Sequence, residues 1–124
     1  MENLLFTKEH EWANIAGEFA TIGITDYAQG ELGDIVFIDL PTIGKKVNVG
    51  DPVMTIEAVK AVSDVYAPIS GEVVEVNDLL NTAPDTINRD PFGSGWMFKI
   101  KIAKQDDAKK LLSFEDYKKL IGEA

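Results

Sequence analysis

The side chain best placed for chemistry is a lysine. Lys60 is the only cation between Pro52 and Pro68, in a stretch that is otherwise mostly apolar. Two roles are open to it. It is a solubilising lysine at a hairpin tip, as sheet proteins commonly use, or an amine presented for covalent modification. In the second role the ε-amine forms a stable amide with a carboxylated cofactor, and the cofactor brings the chemistry. Other reactive groups are scarce. The 124 residues contain no cysteine, which excludes disulfides, thiolate metal sites and cysteine nucleophiles. His10 is the only histidine, so a histidine metal cluster or a serine-type triad lacks members. Between Glu9 and Glu11, it reads as a surface histidine. Asp34 and Asp39, at strand spacing, face opposite sides and do not make an acid–base pair. Gly30, Gly33 and Gly44 lack phosphate-loop spacing, and Phe92-Gly93-Ser94-Gly95 reads as a flexible turn. This inventory suits a carrier or binding module better than an enzyme.

The elements around Lys60 must explain its position. Pro52–Pro68 combines a helical stripe (Met54, Ala58, Ala61, Val62, Val65) with many β-branched residues and proline at both ends. The β reading is preferred. One strand of that length is about twice the usual ~5–6 residues, so it folds back on itself. Lysine is costly to bury, which puts the reversal at Val59-Lys60-Ala61. No Gly, Asn, Asp or Pro stands there, so ordinary turn chemistry does not account for it.

Elsewhere, Phe19–Ile24 reads as a strand, followed by a short helix over Tyr27–Leu32 with Thr25-Asp26 as its cap and Gly33 as its stop. Ile35–Leu40 is a second strand ending at Pro41. Gly44-Lys45-Lys46, Gly50-Asp51-Pro52 and Ile69-Ser70-Gly71 are turns, and Glu72–Val76 is a strand. Val47–Asp51 and Pro68–Glu72 faintly echo each other. Asp78–Asn88 mixes a helical turn with Pro84 and is mostly loop. Trp96, Phe98, Ile100 and Ile102 alternate with Met97, Lys99 and Lys101 as a half-buried strand. In the tail, Asp106-Asp107 starts a helix to Leu112. Ser113 with Asp116 resembles a capping box for a second helix, whose Phe114, Tyr117, Leu120 and Ile121 share a face. Strands followed by helices, without βαβ alternation, predict a mostly β, α+β domain.

Length predicts a single domain, 1–124. Twelve basic and 21 acidic side chains leave a formal charge of -9, which argues against nucleic acid and anionic membrane. Met1–Lys8 lacks signal-peptide character, and no apolar run approaches the ~20 residues of a membrane helix. The expected location is cytoplasmic. No unexplained apolar stripe remains for a permanent interface, so the expected state is a monomer.

Several segments closely resemble the glycine cleavage system H-protein family. They are Thr7-Lys8-Glu9-His10-Glu11-Trp12, Ala20–Gln29, Leu32–Phe37, Ile56-Glu57-Ala58-Val59-Lys60-Ala61, Ala67–Val73 and Gly95-Trp96-Met97. The resemblance spans nearly the whole chain. It implies a barrel-sandwich hybrid of two small sheets, with a lipoyl hairpin and C-terminal helices. It also implies that Lys60 carries lipoic acid as a covalent lipoyl-lysine. Ala58 stands where the family usually has serine. Biotin carriers typically show Met-Lys-Met at this position, and 2-oxoacid dehydrogenase carrier domains Asp-Lys-Ala.

The implied role is to carry the aminomethyl group of glycine from P protein to T protein, with L protein reoxidising the dithiol. A lipoate ligase or lipoyl transferase would attach the group, and relay of lipoyl groups to other complexes is a compatible role. A mitochondrial location would apply in a eukaryote. An aminomethyl group on sulfur is prone to attack by water, and its amine is cationic, so a sheltered, carboxylate-lined cleft is expected. By resemblance, Glu11 and Asp64 hold the loaded arm. Glu9 occupies a position where the family often has serine or threonine.

Overall fold

The computed structural model describes residues 4–122. Met1 to Asn3, part of the segment read as lacking signal character, and the last two residues lie outside it. Among the described residues, nine strands form two antiparallel sheets. The larger contains β1 (Leu4–Phe6), β2 (Glu11–Ala16), β3 (Phe19–Ile24), β9 (Phe98–Ile102), β8 (Gly71–Val76) and β5 (Lys46–Val47), in that spatial order. The smaller contains β4 (Ile35–Asp39), β6 (Pro52–Ala58) and β7 (Val62–Tyr66). Short helices complete the molecule: α1 (Asp26–Leu32), α2 (Leu79–Thr82), α3 (Thr86–Arg89), a 3-10 turn over Gln105–Lys110, and α4 (Phe114–Leu120). The two packed sheets and the mostly β composition match the sequence expectation.

Alternation decides the faces. Across the large sheet, Ala13, Ile22, Phe98 and Val76 stand in one row, and Ile15, Ala20, Ile100 and Val73 in another. These belong to the main core, which also takes Ile38, Met54, Ile56 and Val65 from the small sheet. The opposite face carries rows such as Asn14, Thr21, Lys99 and Glu75. Each fully buried aliphatic side chain contributes roughly 2 kcal/mol.

A second cluster lies on the other side of β1 and β2. Phe6, Trp12 and Tyr117 are buried there, with Phe114, Leu112 and Ile121 packed against them. It explains why β1 and β2 are not announced by alternation. Glu11, Trp12 and Ala13 are all buried, because their strand is covered on both faces. The tail packs as expected through Phe114, Tyr117 and Ile121, and Ser113 caps α4 by accepting from the Asp116 amide at 3.2 Å. Leu120 is exposed, however, so the shared face is narrower than its spacing suggests.

Other expectations are refined. Two one-turn helices, Leu79–Thr82 and Thr86–Arg89, stand on either side of Pro84, where one helical turn in a stretch of mostly loop is expected. The stretch after Asp106 is 3-10 rather than α. The Asp107 side chain is buried and accepts from the Ser70 amide at 3.0 Å. The expected strand from Trp96 starts two residues later, and Met97 rather than Trp96 is buried. The turn before it is organised by Asp90, whose carboxylate accepts from the Ser94 amide at 2.8 Å.

Gly71 allows β8 to lie against β9. A Cβ there would meet the Lys101 carbonyl oxygen and the Ile100 side chain. Gly71→Ala should therefore destabilise the fold by about 2 kcal/mol or more. Gly30→Ala, in α1 with nothing within 4 Å of the new carbon, should stabilise it by about 0.5–1 kcal/mol. Chemical denaturation of the two variants checks both signs.

Candidate functional site

β6 and β7 form the hairpin anticipated from Pro52–Pro68, and Lys60 lies in its tip. Inward residues Met54, Ile56, Ala58 and Val65 are buried, so the hairpin is packed almost to its end. Its last rung is Ala58, whose amide donates to the Ala61 carbonyl at 2.8 Å. The Val59 amide donates to the Asp34 carbonyl at 2.9 Å, which ties the tip to the segment entering β4. Backbone bonds, rather than turn-forming residue types, thus hold the reversal. Lys60 is exposed, and no carboxylate pairs with it among the described residues. An exposed, unpaired amine on a fixed backbone fits acylation by a carboxylated cofactor.

The cleft below begins three residues along the chain at Ser63. It has a volume of about 430 Å³ and is lined by His10 and Glu11 from the large sheet's entry, Tyr27 and Glu31 from α1, and Ser63 and Asp64 from β7. Glu9, Ile56 and Leu32 also line it. Glu11 and Asp64 are therefore brought to one cavity, although 53 residues separate them in sequence. A groove of similar volume on the large sheet, about 410 Å³, is lined by Lys46, Lys101 and Lys104 and has no comparable group of acids.

The two acids differ in environment. Asp64 is exposed, and its Oδ1 accepts from the Thr55 hydroxyl at 3.4 Å. Glu11 is only 2 % exposed. Its carboxylate accepts from the Thr7 hydroxyl at 2.6 Å and from the Tyr66 amide at 3.2 Å. Burial pushes its pKa up to about 7 against the lowering effect of these two bonds, with Glu9 adding a smaller push. The local sequence explains the geometry. Thr7 Oγ1 accepts from the amides of Glu9 and Glu11, closing a tight turn before β2.

His10 is not a free surface histidine. It adopts a left-handed backbone (φ 69°), and its Nδ1 shares a hydrogen bond of 2.9 Å with the Tyr117 hydroxyl. That hydroxyl also lies 2.7 Å from Thr25 Oγ1, the N-cap of α1. The His10 ring packs on Tyr27, with centroids 4.8 Å apart. This network fixes α1, the cleft wall opposite β7, against α4. Tyr27 and Glu31 were not among the sequence candidates. Their signal was the helical spacing of four, which turns both toward one side. Trp12 anchors the turn from behind. Its indole N–H lies within hydrogen-bond distance of the carbonyls of Ile24 and Pro91, and its ring lies over Gly23, where a Cβ would come within 2.5 Å. Asp34 and Asp39 are both exposed and form no acid–base pair.

Comparison with known proteins gives a consistent family. The family model for glycine cleavage H-protein matches residues 4–124. The glycine cleavage system H protein of Rubrobacter xylanophilus is 50% identical over 122 residues, covering 98% of this chain and 94% of that protein. The corresponding protein of Carboxydothermus hydrogenoformans is 49% identical with the same coverage. The crystal structure of a glycine cleavage system H protein from Mycobacterium marinum superposes with a TM-score of 0.91 at 35% identity, covering 98% of both chains.

The raised Glu11 pKa has a defined sign. The folded form holds the proton more tightly than the unfolded chain, so this stabilising contribution is full below about pH 4.5 and is lost as pH rises through about 7. The size is on the order of 3 kcal/mol. Glu11→Gln, which keeps an oxygen for the Tyr66 amide, should lose less stability than wild type over this interval. Urea denaturation across that pH range measures the difference.

Proposed function

The chain belongs to the glycine cleavage H-protein family, and from that premise we propose that Lys60 is its lipoyl attachment site and that Glu11 and Asp64 shelter the loaded arm. Proteins of this family are lipoyl carriers, with covalently attached lipoic acid, rather than enzymes. The observation that carries the assignment is Lys60 itself, exposed at the end of a hairpin whose second strand leads into an acid-lined cleft. The whole chain, 1–124, is read as one carrier domain.

Attachment uses the neutral amine of Lys60. Its nitrogen attacks the carbonyl carbon of an activated acyl donor such as an acyl adenylate. The amide C–N bond forms, the bond from that carbon to the leaving group breaks, and the amine's proton passes to the loading enzyme or to water. When attached, the lipoyl group supplies the dithiol chemistry that takes the aminomethyl group of glycine from P protein to T protein and is restored by L protein. The chain's own residues do the rest. The hairpin backbone fixes the point of attachment. Glu11 and Asp64 face a cationic amine with negative charge, while Ile56, Leu32 and Tyr27 limit water at the cleft wall. Glu11 becomes fully effective only above about pH 7, where it is ionised. The absence of cysteine is consistent with this scheme, because the reactive sulfur comes with the cofactor.

Intact mass after incubation with a lipoate ligase, ATP and lipoate tests the attachment. Wild type should gain one lipoyl adduct and Lys60→Ala none. No adduct on wild type, or the same adduct on the variant, rejects Lys60. Glu11→Gln combined with Asp64→Asn should hasten loss of the loaded group in water several-fold and remove its dependence on pH near 7. Unchanged decay would reject the shelter. A lipoyl-transfer assay to a 2-oxoacid dehydrogenase carrier domain tests the compatible relay role.

A further inference from the structure

The outward face of the small sheet is unusually apolar next to Lys60. Phe37, Glu57 and Val62 stand directly opposite one another across β4, β6 and β7, so they share that face. Phe37 is 53% exposed and Val62 66%. Val36 and Val59, which border the same tip, are 56% and 69% exposed. The buried core is formed by the opposite face, so nothing in the fold uses these side chains.

A β-bulge places Phe37 there. Ile35 pairs with Ala58, and a regular ladder would then bring Phe37 opposite Ile56, whose side chain is fully buried. The register instead shifts by one residue between Ile35 and Phe37. Phe37 pairs with Glu57 and turns outward, while Ile38 takes the inward place opposite Ile56. Bulges commonly re-aim a side chain beside a functional site. The next row on the outward face is Asp39, Thr55 and Asp64. The apolar pair is therefore accompanied by the carboxylates of Glu57, Asp39 and Asp64, none of which forms an ion pair among the described residues.

We propose that Phe37 and Val62 form the docking surface for the enzyme that acylates Lys60, a partner with an apolar recess and a basic rim. The inference rests on Lys60 being the attachment site. Charge complementarity gives the rim, and the length of the bare lysine selects the occupant. An unmodified amine extends only the length of its four-carbon stem, so the loading enzyme must approach the strands beside the tip. Proteins that act at the cofactor's far end have the added length of the arm between them and the tip. Buried aromatic anchors dominate interfaces of this kind, while rim charges chiefly set the rate of encounter.

The test is steady-state lipoylation by a lipoate ligase with ATP and lipoate, varying the acceptor protein. Phe37→Thr and Val62→Thr retain strand-forming side chains at exposed positions and should leave thermal unfolding unchanged. Each should raise KM for the acceptor about tenfold with kcat retained. Val49→Thr, at a position equally exposed but near the hairpin's base, should match wild type. An unchanged KM in both tip variants, or a fall in kcat alone, overturns the docking surface while leaving Lys60 as the attachment site. Fully lipoylated variants should be turned over normally by L protein, and an equal loss there overturns the choice of occupant. Absence of any adduct on wild type overturns the attachment site itself.

Discussion

The burial of the hairpin's inner face is the constraint on which the rest depends. Met54, Ile56, Ala58 and Val65 hold β6 and β7 onto the core up to the last rung before the tip. A two-stranded ribbon alone is marginally stable in water. Here its underside belongs to the same core as Ile22, Val73 and Ile100 of the large sheet. Lys60 is therefore presented on a rigid post. Its own side chain, and any group extending from it, can move without the backbone moving. A carrier that serves several partners needs both properties, a fixed origin and a mobile arm.

Glu11 joins the two sheets by a side-chain hydrogen bond. It begins β2 in the large sheet, and its carboxylate accepts from the amide of Tyr66, which ends the edge strand β7 of the small one. An edge amide needs a partner, and a buried carboxylate needs donors. Each meets the other's requirement, and Thr7 supplies the second donor. Two bonds do not fully offset the desolvation, which is why the carboxyl titrates near neutrality. The same burial that makes Glu11 a structural tie makes its charge conditional. Asp64 is exposed on the facing strand and accepts from the Thr55 hydroxyl, so the cleft is lined by one buried and one exposed acid.

The hairpin was legible in the sequence because its signals agreed. β-branched residues, flanking prolines and one lysine too costly to bury leave a single place for the reversal. The helix after Thr25 and the capped helix after Ser113 were legible for the same reason, since cap and periodicity coincide. What escaped was set by tertiary packing. Glu11, Trp12 and Ala13 at the start of β2 are buried in succession, so no alternation marks that strand. The burial of Glu11 depends on Tyr66 arriving from a distant strand. The bulge at Val36 leaves no trace in a run of apolar residues, because shifting the register by one exchanges Phe37 for Ile38 without changing the pattern's composition. Lys60 stood out from the residues themselves, and the resemblance added its lipoyl role together with Glu11 and Asp64, while the contrasting environments of the two acids came from the structure.

The bulge also shows how the tip serves conflicting demands. An edge strand beside a reactive lysine should resist pairing with other chains, and Asp39 and Asp64 on the outer face do that by charge. An enzyme that recognises the tip needs apolar contact, since exposed ion pairs alone add little affinity. Moving one aromatic side chain outward at a bulge satisfies both. The bulge breaks the regular edge and twists it, which discourages strand addition, while Phe37 adds apolar surface within reach of Lys60. The net charge of -9 then has a directional meaning. An acidic body of this kind repels like charge and draws basic surfaces, and the apolar patch gives the proposed loading enzyme its place on the molecule.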